Sequence, residues 1–214
     1  MEIVYRTIFF YSEGHNYLNG RVCSEFRQLA PKVKYLAYVD QVLTERGEVK
    51  DFVPSEEVME AAIDGELLHV IEACEDIIPK DRICYLIAIK GKLQVLKWAR
   101  SKGYLWDEWT CAYAARFGHL EMLQWARANG CPWDKETCSG AADYGQIEIL
   151  KWARANGCEW SEDACNYAAS NGHLEVLQWL IENGCDWDLD EIYRHATTYH
   201  GNDRVSEWLL SKYY

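Results

Sequence analysis

Along much of the chain, apolar and polar positions follow a helical spacing that keeps returning. In the stretch from His119 to Asn129, Leu120, Leu123 and Ala126 fall three apart on one side of a helix. Met122 and Trp125 widen that side while Glu121, Gln124 and Arg127 face outward, which predicts an amphipathic helix with one stripe to bury. Asn129-Gly130 is a strong stop signal for it. The same pattern recurs with a step of 27 residues: Trp98, Trp125, Trp152 and Trp179 keep it, as do Trp106, Trp133, Trp160 and Trp187. Cys84, Cys111, Cys138 and Cys165 form a third series, and Cys131, Cys158 and Cys185 a fourth.

Cut in register, the best units are Asp107–Trp133, Asp134–Trp160 and Ser161–Trp187. A weaker unit covers Lys80–Trp106, and a divergent one starts near Ser55 with Gly65 in the hinge place. In the last, Asp188–Tyr214, two extra residues move the hinge to Gly201, and Trp208 stands for Trp179. Altered end units suit a solenoid, whose terminal faces meet water. Each unit reads as two short helices. Asp107, Asp134, Ser161 and Asp188 sit where an N-cap belongs, and Glu108, Glu136, Glu162 and Asp163 suit the positive end of the first helix. Pairs such as Ala114-Ala115 let neighbouring helices approach, and Gly118, Gly145 and Gly172 end the first helix in the left-handed conformation.

One such pair cannot bury its own apolar side, so stability must come from stacking. A mostly buried Trp of ~200 Å² would offset ~5 kcal/mol of ordering cost. The expected fold is an all-α solenoid of about six helix pairs, residues 51–214, behind a small N-terminal helical module.

The run from Ala168 to Gly184, A-A-x-x-G-H-L-E-V-L-x-W-L-x-x-N-G, resembles the A-A-x-x-G-H-x-x-V-V-x-x-L-L-x-x-G core of ankyrin repeats. It is most similar to the short Trp- and Cys-rich variety of large-virus, algal and protist proteins, and the resemblance covers roughly Ser55 to Tyr214. It implies a protein–protein interaction module without enzyme activity. An ordinary ankyrin unit has about 33 residues, and the shortfall lies where its β-hairpin finger would be, here replaced by G-C-x-W-[DS]. The T-P-L-H signature is also missing. These departures direct partner binding to the first-helix face and the Cys-x-Trp loops.

Residues 1–50 do not follow the repeat. Ile3, Val4, Ile8, Phe9 and Tyr11 predict one apolar helix, and Tyr17 to Leu29 another. Pro31 opens a third, with Val33, Leu36, Val39 and Leu43 three or four apart, before the charged junction Thr44–Asp51. Val22-Cys23-Ser24-Glu25-Phe26-Arg27-Gln28-Leu29-Ala30 resembles the V-C-x-x-[WF]-R-x-L-A ending of an F-box, and the Glu2-to-Tyr11 helix is similar to its opening helix. The resemblance implies docking on a Skp-family adaptor through Ile3, Ile8, Val22, Cys23, Phe26 and Leu29, and so a substrate receptor for a cullin–RING ubiquitin ligase. The other reading is a helical cap for the stack, in a scaffold with no ligase link.

A net charge of −12 repels phosphate backbones, and no Lys/Arg stripe reverses it locally, so nucleic acid is not an expected partner. A basic protein partner is electrostatically welcome. No run of 18 apolar residues exists, and the opening MEIVYRTIFFYSEGH lacks a basic leader and a cleavage site. The odd count of 9 Cys then predicts reduced thiols in an intracellular chain, cytoplasmic or nuclear.

Cys131, Cys138 and His119 raise the question of structural zinc, which wants four ligands, normally in tighter pairs. His119 and His173 have Gln146 as their counterpart, however, and a ligand or base would not be exchanged for Gln. Buried thiols packing between helices are the expectation, with no metal or cofactor. No nucleophile with a base, no paired carboxylates and no phosphate loop emerge, so no catalytic residue is expected.

Positions that vary between units lie mainly on the first helix, where Tyr113, Gly140 and Tyr167 correspond, as do Arg116, Asp143 and Ser170, and Phe117, Tyr144 and Asn171. Trp109 is the one Trp off the lattice, and its counterparts Glu136 and Asp163 are acidic. Trp109, Tyr113, Arg116, Phe117, Asp143, Tyr144, Tyr167 and Asn171 are therefore the candidate partner surface. The alternative has Trp109 leaning on the preceding unit and Phe117 filling a gap.

Overall fold

The structure is a computed structural model that describes residues 32–46, 49, 52–161, 163–198 and 203–213. The predicted adaptor-binding residues Ile3, Ile8, Val22, Cys23, Phe26 and Leu29 lie outside the described residues. Among those described, regular structure consists of thirteen α-helices and one short 3-10 turn, without a strand. They form two compact units that divide between Ile78 and Pro79.

In the first unit, α1 (Lys32–Arg46) packs on α2 (Glu56–Gly65) and α3 (Leu68–Ala73). Leu36 and Val39 of α1 are buried, as are Met59, Ala62 and Ile63 of α2 and Val70 and Ile71 of α3. Ser55 caps α2, its hydroxyl accepting from the Val58 amide at 3.2 Å. No residue of its own caps α3; instead Asp40 of α1 reaches across, its carboxylate accepting the Val70 amide at 3.0 Å. His69 at the same helix start faces Asp40 at 3.4 Å and Thr44 at 2.9 Å. An anion at a helix N-terminus satisfies free N–H groups and the dipole together. That cap ties the hairpin after Ser55 to α1 within the compact unit that runs to Ile78.

The hinge of this hairpin differs from expectation. Gly65 is the last helical residue, and the left-handed place falls to Glu66, at φ 55°. Leu67 then occupies the position that His119 takes in a later unit, so the divergent unit is shifted by one residue from its aligned register.

The second unit consists of five helix pairs: α4 (Ile83–Lys90) with α5 (Leu93–Ser101), α6 (Glu108–Arg116) with α7 (Leu120–Ala128), α8 (Lys135–Asp143) with α9 (Ile147–Ala155), α10 (Ala164–Ser170) with α11 (Leu174–Glu182), and α12 (Leu189–Thr198) with α13 (Asp203–Tyr213). First helices pack in sequence, α4 on α6, α6 on α8, α8 on α10 and α10 on α12, which makes a solenoid. Ala88, Ala114, Ala115, Ala141, Ala142, Ala168 and Ala169 are fully shut off from water, and their small side chains allow this close row.

On the second helices the buried stripe is centred one position from where periodicity put it. Met122, Leu123 and Ala126 are buried while Leu120 is half-buried. Arg127 does not point away: its guanidinium lies 4.1 Å from the Trp133 ring centroid and donates to the Cys131 carbonyl. The caps are also mixed. Asp134 accepts from the Glu136 amide at 3.0 Å and Asp188 from the Glu191 amide at 2.9 Å, whereas the Asp107 side chain makes no cap bond. Ser161 is buried and shares a 2.8 Å hydrogen bond with Ser139 of the preceding unit, so its hydroxyl is taken and α10 begins only at Ala164.

The lattice Trp side chains keep a regular row but are half-buried. Three loop Trp meet the second-helix Trp of the next unit edge-on: Trp106 with Trp125 at 5.8 Å, Trp133 with Trp152 at 5.8 Å and Trp160 with Trp179 at 6.0 Å, whereas Trp187 meets Tyr213 at 5.1 Å. Arg100, Arg127 and Arg154 cover the outer faces of the loop Trp rings at 4.1, 4.1 and 4.0 Å. Half-burial lowers the expected ~5 kcal/mol per Trp to roughly half, and the edge contacts and guanidinium stacking add about 0.5–1 kcal/mol each.

A glycine at the left-handed hinge of the first hairpin removes backbone strain. Glu66→Gly is expected to stabilise the first unit by about 1 kcal/mol, seen as slower hydrogen exchange at the buried Val70 amide. Unchanged or faster exchange would show that Glu66 is not strained.

Candidate functional site: the first-helix face

Three sets of side chains recur along the second unit, and their surroundings separate structural roles from free surface. The first is the residue that opens each second helix. His119 Nε2 is 3.1 Å from the Ile89 carbonyl and His173 Nε2 is 3.0 Å from the Asp143 carbonyl, in each case at the C-terminal end of the preceding unit's first helix. Those carbonyls lack helical partners, so the imidazole satisfies them and joins consecutive units. A Cβ on Gly91 would lie 2.4 Å from the His119 ring, one on Gly145 2.7 Å from that of His173, and one on Gly118 3.1 Å from Gln146. Glycine is required at these hinges both for positive φ and for the neighbour's approach. Gln146 fills the same space as an imidazole, which explains how Gln and His exchange.

The thiols form the second set. Cys84, Cys111, Cys131, Cys138, Cys158, Cys165 and Cys185 are buried and free. Within a unit the first-helix thiol meets the loop thiol. The bond between Cys138 and Cys158 raises the pKa of Cys138 and lowers that of Cys158, and Cys165 and Cys185 behave likewise. Cys131 is raised by its bond with Cys111 and then by burial, and burial pushes Cys84 up to about 12. The Cys131 thiol donates to the Asp107 carbonyl at 3.4 Å and the Cys158 thiol to that of Asp134 at 3.2 Å. They act as small packing groups that hold the loop to the start of their own unit. Among the described residues, no group of three or more His, Cys, Asp or Glu is placed to hold a metal ion.

The third set is the variable first-helix face, where the structure brings the eight predicted residues into one patch. Trp109, Phe117, Tyr144 and Tyr167 are 45%, 38%, 46% and 40% exposed. Trp109 lies against Tyr113 at 6.0 Å, Tyr113 stacks on Phe117 at 6.3 Å, and Phe117 meets Tyr144 edge-on at 5.5 Å. Trp109 thus leans along its own helix, and Phe117 remains open to solvent. The Arg116 guanidinium sits 5.8 Å from the Tyr113 ring and 5.2 Å from that of Tyr144, and pairs with Asp143 at 3.4 Å. Asn171 donates to the other Asp143 oxygen at 2.9 Å and to the Tyr167 carbonyl at 3.1 Å. The side chains at units 107–133, 134–160 and 161–187 are therefore tied into one surface.

Tyr85 belongs to this patch and was not anticipated, its ring lying 5.4 Å from that of Tyr113. Its counterparts Ala112, Ser139 and Asn166 vary in the sequence, a signal that the weaker match of unit 80–106 to the repeat obscures. Between Tyr113 and Tyr167 in register stands Gly140, inside α8. A Cβ there would meet nothing nearer than 3.5 Å, so packing does not demand glycine, which costs about 0.5–1 kcal/mol in a helix interior. Partial burial, followed by the carboxylates of Asp163, Glu136 and Asp143, pushes the Tyr167 phenol above its ordinary pKa, with Arg116 opposing.

Exposed aromatic rings with a held guanidinium provide contact area and cation–π donors, a composition suited to gripping another chain. A family model described as ankyrin repeats, in three copies, matches residues 85–214. No curated protein matches the chain.

The two kinds of glycine should respond differently to a methyl group. Gly157→Ala, where nothing lies within 4 Å of the new Cβ, should cost only the left-handed strain of about 1–2 kcal/mol. Gly145→Ala should cost at least about 1 kcal/mol more, because His173 must leave the Asp143 carbonyl. Urea unfolding midpoints measure both, and equal losses would remove the joining role assigned to His173.

Proposed function

Since this chain belongs to the ankyrin-repeat family, we propose that it is a protein–protein interaction module that holds its partner on the first-helix face of residues 80–198. The carrying observation is the joined aromatic patch of Trp109, Tyr113, Phe117 and Tyr144 around Arg116, in which Trp109, Phe117 and Tyr144 stay open to solvent in an otherwise packed helix row. The constant lattice of Cys, Trp, His and Gly is engaged in stacking, which leaves the variable positions for recognition. The ankyrin fold is a non-enzymatic interaction fold, and no described helix is long and apolar enough to cross a membrane.

A finer form of this reading rests on sequence alone. The Val22-to-Ala30 motif favours an F-box-like role for residues 1–50, so that the chain is a substrate receptor bringing its partner to a cullin–RING ubiquitin ligase through a Skp-family adaptor. Co-purification of the full chain with that adaptor supports this form. If the adaptor fails to bind, or binds equally after Phe26→Ala with Leu29→Ala, the chain is a plain ankyrin scaffold.

Trp109→Ala should abolish capture of proteins retained by the unaltered chain from its native host, read by mass spectrometry. Its effect on folding should stay below about 1 kcal/mol, because the ring is half open. A larger stability loss would assign Trp109 to the core instead.

A further inference from the structure

The first-helix face already holds one cation of its own, and the manner in which it does so identifies a second place that lacks one. Arg116 lies one helical turn after Tyr113 on α6, covers that ring and the Tyr144 ring, and is anchored by the Asp143 carboxylate. Two units on in register, Tyr167 repeats Tyr113 on α10. The residue one turn after it is Ser170, which is short, uncharged and bonded to His195 at 3.0 Å. Tyr167 therefore receives no cation from its own helix. Among the described residues no ring or cation stacks on it, although its ring is 40% exposed. Gly140, its neighbour in register on α8, has no side chain to cover its flank.

Negative charge surrounds this open ring. Asp163 lies one turn before Tyr167, and Glu136 holds the equivalent place on α8. Neither carboxylate forms an ion pair with a described residue. After partial burial, both raise the pKa of the Tyr167 phenol along with Asp143, while Arg116, held by Asp143, opposes them, so the two carboxylates lie within electrostatic reach of the ring. A ring face with adjacent carboxylates attracts a cation through the quadrupole and through charge together. A net charge of −12 steers a basic chain toward the protein over longer distances.

We infer that Tyr167, flanked by Glu136 and Asp163, receives an Arg or Lys side chain from a basic peptide segment of the bound partner, in the way that Tyr113 and Tyr144 receive Arg116. This rests on the first-helix reading of function and specifies the chemistry of what that face takes. The aromatic end at Trp109 and Phe117 contacts apolar parts of the same segment, while the acidic end at Tyr167 selects its charge.

The test is selection of a displayed library of random dodecapeptides on the folded full chain. The expected pool is enriched in Arg and Lys and depleted in Asp and Glu. Its members should lose about tenfold in affinity on Tyr167→Ala, and less on the double change Glu136→Gln with Asp163→Asn, which also flattens their salt dependence. Ser170→Arg should weaken the same peptides by supplying the missing cation from within, and circular dichroism confirms that this variant folds. A pool that is acidic or uncharged yet still lost on Trp109→Ala overturns this inference and leaves the interaction face standing. A pool indifferent to both Trp109→Ala and Tyr167→Ala, or no enrichment over the starting library, overturns the inference and the face together.

Discussion

Ala114 and Ala115, Ala141 and Ala142, Ala168 and Ala169 are wholly removed from water, and their small side chains set how near α6, α8 and α10 approach. Close approach at that row leaves little room for large apolar groups between the first helices. The bulk of the apolar contact is made instead by Met122, Leu123, Ile149, Leu150, Val176 and Leu177 beneath them. A single pair has no second pair to close over these residues, so its stability is borrowed from its neighbours. The whole arrangement therefore depends on stacking.

Stacking in turn explains which polar groups are fixed. The ends of the first helices carry carbonyls that need donors, and the next unit supplies them through His119 or His173. Ser139 and Ser161 likewise satisfy each other across a unit boundary. At the outer edge, a loop Trp meets the second-helix Trp of the next unit and is covered by an Arg of its own unit, combining an apolar ring with a cation that stays near water. Among the described residues two hydroxyls escape this economy: Thr110 and Thr137 are buried without a hydrogen-bond partner, at a place where the third unit has Ala164. The alanine shows that a hydroxyl is not needed there.

The solvent side of the first helices is under a different constraint. Side chains there contact along the row rather than across the core, so Tyr113, Gly140 and Tyr167 can differ without disturbing the alanine seam. Arg116 shows what such freedom allows: one guanidinium bridges two tyrosines and a carboxylate drawn from two units. In a solenoid of this kind the side chains that stacking does not use are free to vary, and the same geometry that frees them also lines them up.

Much of this was legible along the chain. A step of 27 residues, carried by Trp, Cys and Gly, determined the helix pairs, their order and the equivalence of positions, because translation along the sequence becomes translation along the stack. It also singled out the variable surface from Trp109 to Asn171, since constant residues must be the ones that touch their copies. Tertiary structure decided which neighbour each side chain meets: that Glu66 rather than Gly65 turns the first hinge, that Ser161 bonds to Ser139 across a unit boundary instead of capping, and that Arg127 covers Trp133 of its own unit rather than facing solvent. Periodicity says which residues are alike but not which neighbour each one meets. That choice depends on small offsets in the packing of residues 19 to 30 positions apart, and those offsets exist only once the helices are in contact.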